Sequence, residues 1–167
     1  MKTINSIEQI NQLTKNDFID IFGNVFEKTY WIADKTYNLK PYKSLDELIS
    51  VILQIYEISS REECLKIFNE HPELAVEKKL TEDSQKEQNS VSLDRCNIEE
   101  FNEFKDLNIE YRKKFGFPFI IAVKGKNKNE ILNSFRKRIK NQISVEFNEA
   151  KEQVKKIATF RLKEIIN

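Results

Sequence analysis

The 167-residue sequence is poor in the residues that form tight turns, with only 3 Gly and 3 Pro. Because a many-stranded sheet needs such residues between its strands, this scarcity favours long helices. Hydrophobic residues make up 40% of the chain and charged residues 33%, a composition that is typical of a globular protein and argues against disorder. The length suits one domain with a sizeable apolar core, so we expect a single domain over residues 1–167.

Cysteine and histidine are also scarce, with 2 Cys and 1 His in the chain. Cys64 and Cys96 lack the C-x-x-C spacing, and a structural zinc site needs about four Cys or His ligands. We therefore expect no metal. Two isolated thiols suit a reducing compartment better than a disulfide scaffold, so we expect a soluble, cytoplasmic protein.

Long hydrophobic runs and an excess of one charge are both missing from the sequence. No run of about 18 apolar residues occurs and the amino terminus has no apolar segment, so we expect no membrane span or leader. The 28 basic and 27 acidic side chains give a net charge of +1, which lacks the electrostatic footprint of a nucleic-acid binder. We interpret the basic run Arg136-Lys137-Arg138 as a solvated helix face.

Apolar residues recur at helical spacing along most of the chain. The pattern predicts helices over residues 16–22, 44–56, 60–71, 98–115, 129–140 and 144–166, and a short one that opens at Ser84. We interpret the aromatic-rich stretch 26–41 as an irregular connection, and the apolar run 117–123, which contains Pro118, as extended. The predicted fold is all-α, a single-domain helical bundle of about six to eight helices with one short extended segment.

Arg161 lies in the middle of the apolar stripe of the last predicted helix, seven residues after Val154 and four after Ile157. A guanidinium group there is costly unless a carboxylate or other acceptors meet it. One interpretation is structural, a buried pair with a Glu or a side chain that reaches past the stripe to water. The other is a fork that binds a substrate carboxylate or ureido group. Periodicity alone favours the structural interpretation.

His71 follows the apolar face formed by Cys64, Ile67 and Phe68, and it ends its predicted helix. At that end the helix macrodipole favours an imidazolium, and the simplest interpretation is that His71 satisfies terminal carbonyl groups. As the only His, however, it is the first candidate for general acid–base chemistry near neutral pH.

Two further polar patterns have ready structural interpretations. Ser84 and Glu87 match the S-x-x-E capping box, and Gln88 adds a second polar group in the same turn. Asn108 lies on an apolar helix face between Phe104 and Tyr111, where we interpret it as satisfying backbone groups.

Taken together, these motifs resemble those of the OHCU decarboxylases (2-oxo-4-hydroxy-4-carboxy-5-ureidoimidazoline decarboxylases). They occur in family order over most of the chain, and the series is more specific than any one motif alone. The matching pieces are Phe22-Gly23-Asn24-Val25-Phe26-Glu27 with Trp31, His71-Pro72-Glu73-Leu74-Ala75, Ser84-Gln85-Lys86-Glu87-Gln88, Leu107-Asn108-Ile109-Glu110-Tyr111, Lys114-Phe115-Gly116-Phe117-Pro118-Phe119-Ile120, and at the C-terminal end Glu149-Ala150 through Gln153-Val154, Ile157-Ala158 and Arg161-Leu162.

The resemblance implies an all-α, cofactor-free carboxy-lyase that converts OHCU to S-allantoin in urate (purine) catabolism. It implies that protonated His71 stabilises the carbanion left by CO2 loss, that Glu87 holds the ring or hydroxyl and favours the charged form of His71, and that Arg161 binds the ureido or carbonyl end. It also implies a homodimer. The remaining implied substrate-binding residues are Pro72, Ser84, Gln88, Phe119, Ile120 and Ile121.

Two other functions remain open at the level of the sequence. One is a catalytically silent helical module that binds a ligand or a protein, since each candidate site residue also has a structural interpretation. The other is a decarboxylase of another carboxylated heterocycle, for which the same His, Glu and Arg would serve.

Overall fold

Helices form nearly all of the regular structure in the computed structural model, which describes residues 4, 6–76 and 80–166. Within these residues there are nine α-helices, one 3₁₀ turn and no strand, so the predicted all-α class is confirmed. The helices are α1 (Ile7–Gln12), α2 (Lys15–Phe22), α3 (Tyr30–Tyr37), α4 (Leu45–Glu57), α5 (Arg61–Glu70), α6 (Glu82–Ser90), α7 (Ile98–Phe115), α8 (Lys128–Arg138) and α9 (Ile143–Ile165), with the 3₁₀ turn at Leu93–Arg95 between α6 and α7.

The capping residues of the predicted helices explain why their boundaries could be read from the sequence. Ser44 caps α4 by accepting a hydrogen bond from the backbone of Glu47. Helix α7 begins at a reciprocal capping box between Asn97 and Glu100. It ends at Gly116, whose φ of 79° belongs to the left-handed region that favours glycine.

The interpretation of residues 26–41 as an irregular connection is wrong, because α3 occupies Tyr30–Tyr37. The buried residues Ile32, Ala33 and Thr36 have helical spacing, but they are interspersed with aromatic and charged side chains. Helix α3 packs against α2 and α4. The short helix α1 was likewise not predicted, and these two helices raise the count above the expected range.

The chain divides into two compact units. The first contains the described residues up to Glu70 and those from Lys155 onward, and the second contains His71–Val154. None of the helices in the described part of the chain combines the length and hydropathy that a bilayer-spanning helix needs.

The first unit has an aromatic core in which one close approach requires a glycine. Phe26 stacks on Tyr56 with ring centroids 4.8 Å apart. A Cβ atom on Gly23 would lie 2.6 Å from Cδ1 of Tyr30 and 2.4 Å from the carbonyl oxygen of Ile19. Gly23 therefore lets the start of α3 pack closely on the end of α2.

The core of the second unit is built around Tyr111, which is fully buried. Its ring meets those of Phe117, Phe119 and Phe135 edge-on, with centroids 5.8, 5.4 and 5.7 Å away. Phe119 and Phe135 are stacked at 3.9 Å. The aromatic residues of the apolar run are thus fixed between α7 and α8.

Candidate active site

His71 follows directly after the last residue of α5 and is 6% exposed. Cys64, Ile67 and Phe68 of α5, which precede His71 at helical spacing in the sequence, are buried as well. The predicted helix is confirmed with its last residue at Glu70, so His71 lies directly after the helix and not within it. Pro72, which is half-buried, follows and disfavours continuation of the helix.

Gln88 of α6 binds the backbone of the segment 71–76, which we name the His71 loop. Its Nε2 donates to the carbonyl of Glu73 at 3.2 Å, and its Oε1 accepts from the N–H of Ala75 at 3.1 Å. Ala75 has a φ of 53°, in the left-handed region that a non-glycine residue seldom adopts. The buried Gln88 therefore fixes the loop on both sides of Leu74.

Helix α7 supplies two more contacts to the His71 loop. The Nδ2 of Asn108 donates to the carbonyl of Leu74 at 3.0 Å, which confirms the interpretation that Asn108 satisfies a backbone group. Arg112, one turn further along α7, forms an ion pair of 2.9 Å with Glu73. No pattern in the sequence indicated that Asn108 and Gln88 bind the same loop.

The capping box predicted at Ser84 is wrong, because the cap of α6 is Thr81, which accepts from the N–H of Ser84 at 3.3 Å. Thr81, three residues before Ser84, is also a favourable N-cap residue, and the acidic Glu82 and Asp83 in the first turn favour a helix that begins there. Ser84 and Gln88 consequently lie inside the helix and are 3% and 6% exposed. Glu87 is half-buried and shares their face, because residues three and four apart are neighbours on a helix.

The run Phe117–Val123 is buried throughout and, as predicted, is not helical. Two alternate residues bind side chains of the following helices. The carbonyl of Ile120 accepts from Nη1 of Arg138 at 2.7 Å, and the N–H of Ala122 donates to Oε1 of Gln153 at 2.9 Å. The guanidinium of Arg138 also lies over the ring of Phe119, 4.3 Å from its centroid.

The interpretation of Arg138 as part of a solvated face is wrong, since the residue is 7% exposed and paired with the fully buried Glu146. Glu146 also accepts from the Tyr111 hydroxyl at 2.6 Å and from Nδ2 of Asn141 at 3.0 Å. Burial, and then the adjoining Glu146 carboxylate, raise the pKa of Tyr111 well above its usual value, so the phenol stays protonated. Arg138 lies three residues after Phe135 and seven after Ile131, a helical spacing that could have revealed its burial.

Arg161 belongs to the first unit and is 5% exposed. Its Nη2 lies 2.9 Å from Oε2 of Glu27, and its Nη1 donates to the carbonyl of Asn24 at 2.9 Å. Glu27 itself is 1% exposed. The structural interpretation, a buried pair with a Glu, is thus confirmed, and the further role of Arg161 in binding substrate stays a prediction.

Neither Cys64 nor Cys96 forms a disulfide. Burial raises the pKa of Cys96, which disfavours its thiolate. Within residues 4, 6–76 and 80–166, no three His, Cys, Asp or Glu side chains group closely enough to hold a metal ion.

The sequence profile of the OHCU decarboxylase family matches residues 11–163 of the chain. The chain is 36% identical to a 2-oxo-4-hydroxy-4-carboxy-5-ureidoimidazoline decarboxylase of Haloferax volcanii, over 95% of each protein. It is 40% identical to a uric acid degradation bifunctional protein of Bacillus sp. (strain TB-90), over 95% of this chain and 32% of that protein. The chain therefore spans about a third of the bifunctional relative and nearly all of the other.

The fold is similar to that of a solved (S)-allantoin synthase, with a TM-score of 0.79 and 24% identity. The similarity covers 98% of this chain and 54% of that one. At this identity the likeness shows a shared fold.

Proposed function

The chain belongs to the OHCU decarboxylase family, and from that premise we propose that it removes CO2 from OHCU and releases S-allantoin in the breakdown of urate. The observation that carries the proposal is the family match over residues 11–163. The reaction breaks one C–C bond, and the electron pair left behind is delocalised over the imidazoline ring and its carbonyl. A proton then adds to the neighbouring ring carbon that bears the ureido group, while the hydroxyl group loses its proton and becomes the ring carbonyl. The chemistry therefore needs acid–base and electrostatic groups and no cofactor.

We assign the acid–base role to His71. It is the only His of the chain, and histidine is the side chain that ordinarily titrates near neutral pH. Its burial supports this role, because charge that develops in a site shielded from water is stabilised more strongly than in water. In the proposed mechanism protonated His71 stabilises the carbanion and steers the proton to one face of the ring, and a single stereoisomer results.

We assign the ring and hydroxyl of the substrate to the face of α6 that carries Ser84, Glu87 and Gln88. A carboxylate at Glu87 would accept from the substrate hydroxyl and favour the charged form of His71. The hydroxyl of the buried Ser84 can donate or accept. Because both ends of the Gln88 amide already bind the His71 loop, we assign Gln88 mainly to holding Pro72 and its neighbours in place.

The backbone of Ile121 is suited to bind the edge of the planar ring. In an extended segment successive residues present their N–H and C=O groups to opposite sides. The carbonyl of Ile120 binds Arg138 and the N–H of Ala122 binds Gln153. We therefore assign the backbone groups of Phe119 and Ile121 to the opposite side of the segment. Among the described residues the backbone of Ile121 makes no hydrogen bond, although the residue is 6% exposed. A buried N–H beside a C=O fits a cyclic urea edge, which offers the complementary pair.

Arg161 is proposed to bind the ureido or carbonyl end of the substrate. Its Nη atoms are oriented by Glu27 and the carbonyl of Asn24, so the guanidinium is held in one orientation. A guanidinium held in this way loses little entropy when it binds a planar acceptor.

We propose further that the protein acts in the cytoplasm as a homodimer. The absence of a disulfide between Cys64 and Cys96 suits a reducing compartment. The dimer rests on the family resemblance alone. Size-exclusion chromatography with light scattering tests it, and a monomeric mass at the concentrations used for activity would overturn it.

Circular dichroism of freshly generated OHCU tests the activity, with the wild-type protein, His71→Ala and the neighbouring exposed variant Glu70→Ala. We expect fast, stereoselective formation of S-allantoin by the wild type and by Glu70→Ala. We expect His71→Ala to be slower by at least about a hundredfold, in the range of positioned acid–base groups. An active His71→Ala would refute the role of His71. A wild-type rate no faster than the spontaneous, racemic decay would point to another carboxylated heterocycle or to a binding module.

A further inference from the structure

Two amide side chains from different helices fix three consecutive residues of the His71 loop. Gln88 of α6 binds Glu73 and Ala75, and Asn108 of α7 binds the carbonyl of Leu74 between them. The loop conformation thus depends on side-chain amides in addition to its own backbone.

A polar side chain such as that of Asn108 is energetically unfavourable at this buried position. It is 3% exposed and lies on the face of α7 that also buries Phe104, Tyr111 and Phe115. Burying a polar amide costs free energy unless it is hydrogen-bonded, and its Oδ1 accepts no hydrogen bond from the described residues. The one hydrogen bond of its side chain in the described structure is therefore the bond from Nδ2 to Leu74.

The loop that Asn108 binds is held in an unusual conformation. Ala75 has a φ of 53°, and a non-glycine residue stays in this region only where its surroundings over-determine it. Such conformations occur preferentially at functional sites. In the peptide group between Leu74 and Ala75, Asn108 binds the carbonyl and Gln88 binds the N–H, so the two side chains together restrict this conformation.

We propose that Asn108 is a positioning residue for His71. By fixing the carbonyl of Leu74, three residues after His71, it holds the start of the loop and with it the orientation of the imidazole. The inference rests on the proposed function, in which His71 carries the acid–base step. When a catalytic group is misplaced by about 1 Å, the rate can fall about a hundredfold. A hydrogen bond that does not involve the substrate can therefore affect catalysis through the position of His71.

The kinetic test compares Asn108→Leu with Asn102→Leu, the same change at an exposed position of the same helix. We expect Asn108→Leu to lower kcat by at least about tenfold while KM changes by less than about threefold, because the residue acts on the His71 loop and not on the substrate. In the His71→Ala background Asn108→Leu should cause no further loss, since two residues that act through one group are not additive. Equal losses in both backgrounds would overturn the proposal.

A second readout does not depend on activity. As the only His of the chain, His71 gives one set of imidazole signals in an NMR spectrum. Asn108→Leu should shift or broaden them, and Asn102→Leu should leave them in place. Unchanged His71 signals in a folded Asn108→Leu would refute the positioning role. Displaced signals with a wild type that does not decarboxylate OHCU would refute the proposed function alone. If Asn108→Leu does not fold, Asn108→Asp, which keeps the shape and removes the donor, replaces it in both tests.

Discussion

Arg138 and Glu146 form an ion pair within the second unit, with side chains 9% and 0% exposed and 2.6 Å between Nη2 and Oε1. The pair connects α8 and α9 to the apolar run, because Arg138 also binds the carbonyl of Ile120 and covers the ring of Phe119. It therefore supports the segment whose backbone we assign to the substrate ring.

Removing one partner of this pair should destabilise the protein strongly. Arg138→Met leaves the Glu146 carboxylate buried without its main counter-charge, and we expect a loss of about 3–5 kcal/mol in the free energy of unfolding. Urea unfolding followed by circular dichroism measures this loss. The exposed Arg136→Met, two residues away, should cost much less.

The double variant Arg138→Met with Glu146→Leu tests whether the loss of stability comes from the ion pair itself. Because it leaves no isolated charge, its loss should fall below the sum of the single losses by about 1–3 kcal/mol. Additive losses would show that Arg138 acts by packing alone.

The helices that could be predicted are those whose signals are local. Ser44, Asn97 and Gly116 mark helix ends through their own side chains or backbone, and the structure uses each of them in that way. The start of α6 was misplaced because two possible caps, Thr81 and Ser84, lie three residues apart, and the acidic Glu82 and Asp83, which favour Thr81, were not weighed. Helix α3 was missed because its buried residues, Ile32, Ala33 and Thr36, are interspersed with aromatic and charged side chains.

The candidate site could be predicted only in part. His71 and Arg161 were identified because each breaks an apolar stripe, and both are buried. Arg138 breaks a stripe in the same way but was hidden by its two basic neighbours. Gln88 and Asn108 lie 20 positions apart in the sequence, and both bind the His71 loop. The periodicity within a single helix cannot indicate contacts between separate segments of this kind.

The ion pair between Glu103 of α7 and Arg136 of α8 gives a prediction about pH. The hydrogen bonds from Arg136 hold the pKa of Glu103 below its usual value of about 4.3. A carboxylate whose pKa is lowered on folding stabilises the protein above its unfolded pKa, and loses that effect as the pH falls through the folded pKa.

Glu103→Gln should therefore be less stable than the wild type at pH 7, and the difference should shrink toward zero as the pH falls below about 4. Urea unfolding across this pH range measures it. Glu110→Gln, at an exposed position of the same helix that makes no ion pair among the described residues, is the control. A difference that persists unchanged at low pH would mean that shape rather than charge explains the effect of Glu103→Gln.

Two glycines should respond to alanine for different reasons. At Gly116 a Cβ would meet nothing within 4 Å, so Gly116→Ala should cost only the left-handed backbone penalty of about 1–2 kcal/mol. At Gly23 the φ is ordinary, but a Cβ would overlap Ile19 and Tyr30. Gly23→Ala should therefore cost more in thermal unfolding, and Tyr30→Ala should relieve part of that cost. The reverse order would show that α3 can move away from α2 easily.

Arg161 and Glu27 allow the structural and the functional role of one residue to be separated. Glu27→Gln leaves the buried guanidinium without its counter-charge and should lower the free energy of unfolding by about 3–5 kcal/mol. Arg161→Lys keeps a positive charge beside Glu27 and should destabilise less.

An ammonium, however, cannot reproduce the planar fork of a guanidinium, so kcat/KM for OHCU should fall by about a hundredfold or more in Arg161→Lys. Glu27→Gln should have the lower free energy of unfolding of the two variants. At a temperature where both proteins are folded, Arg161→Lys should have the lower kcat/KM. If activity only follows stability, with Arg161→Lys the more active of the two, then Arg161 serves the fold alone and the substrate must be bound by other groups.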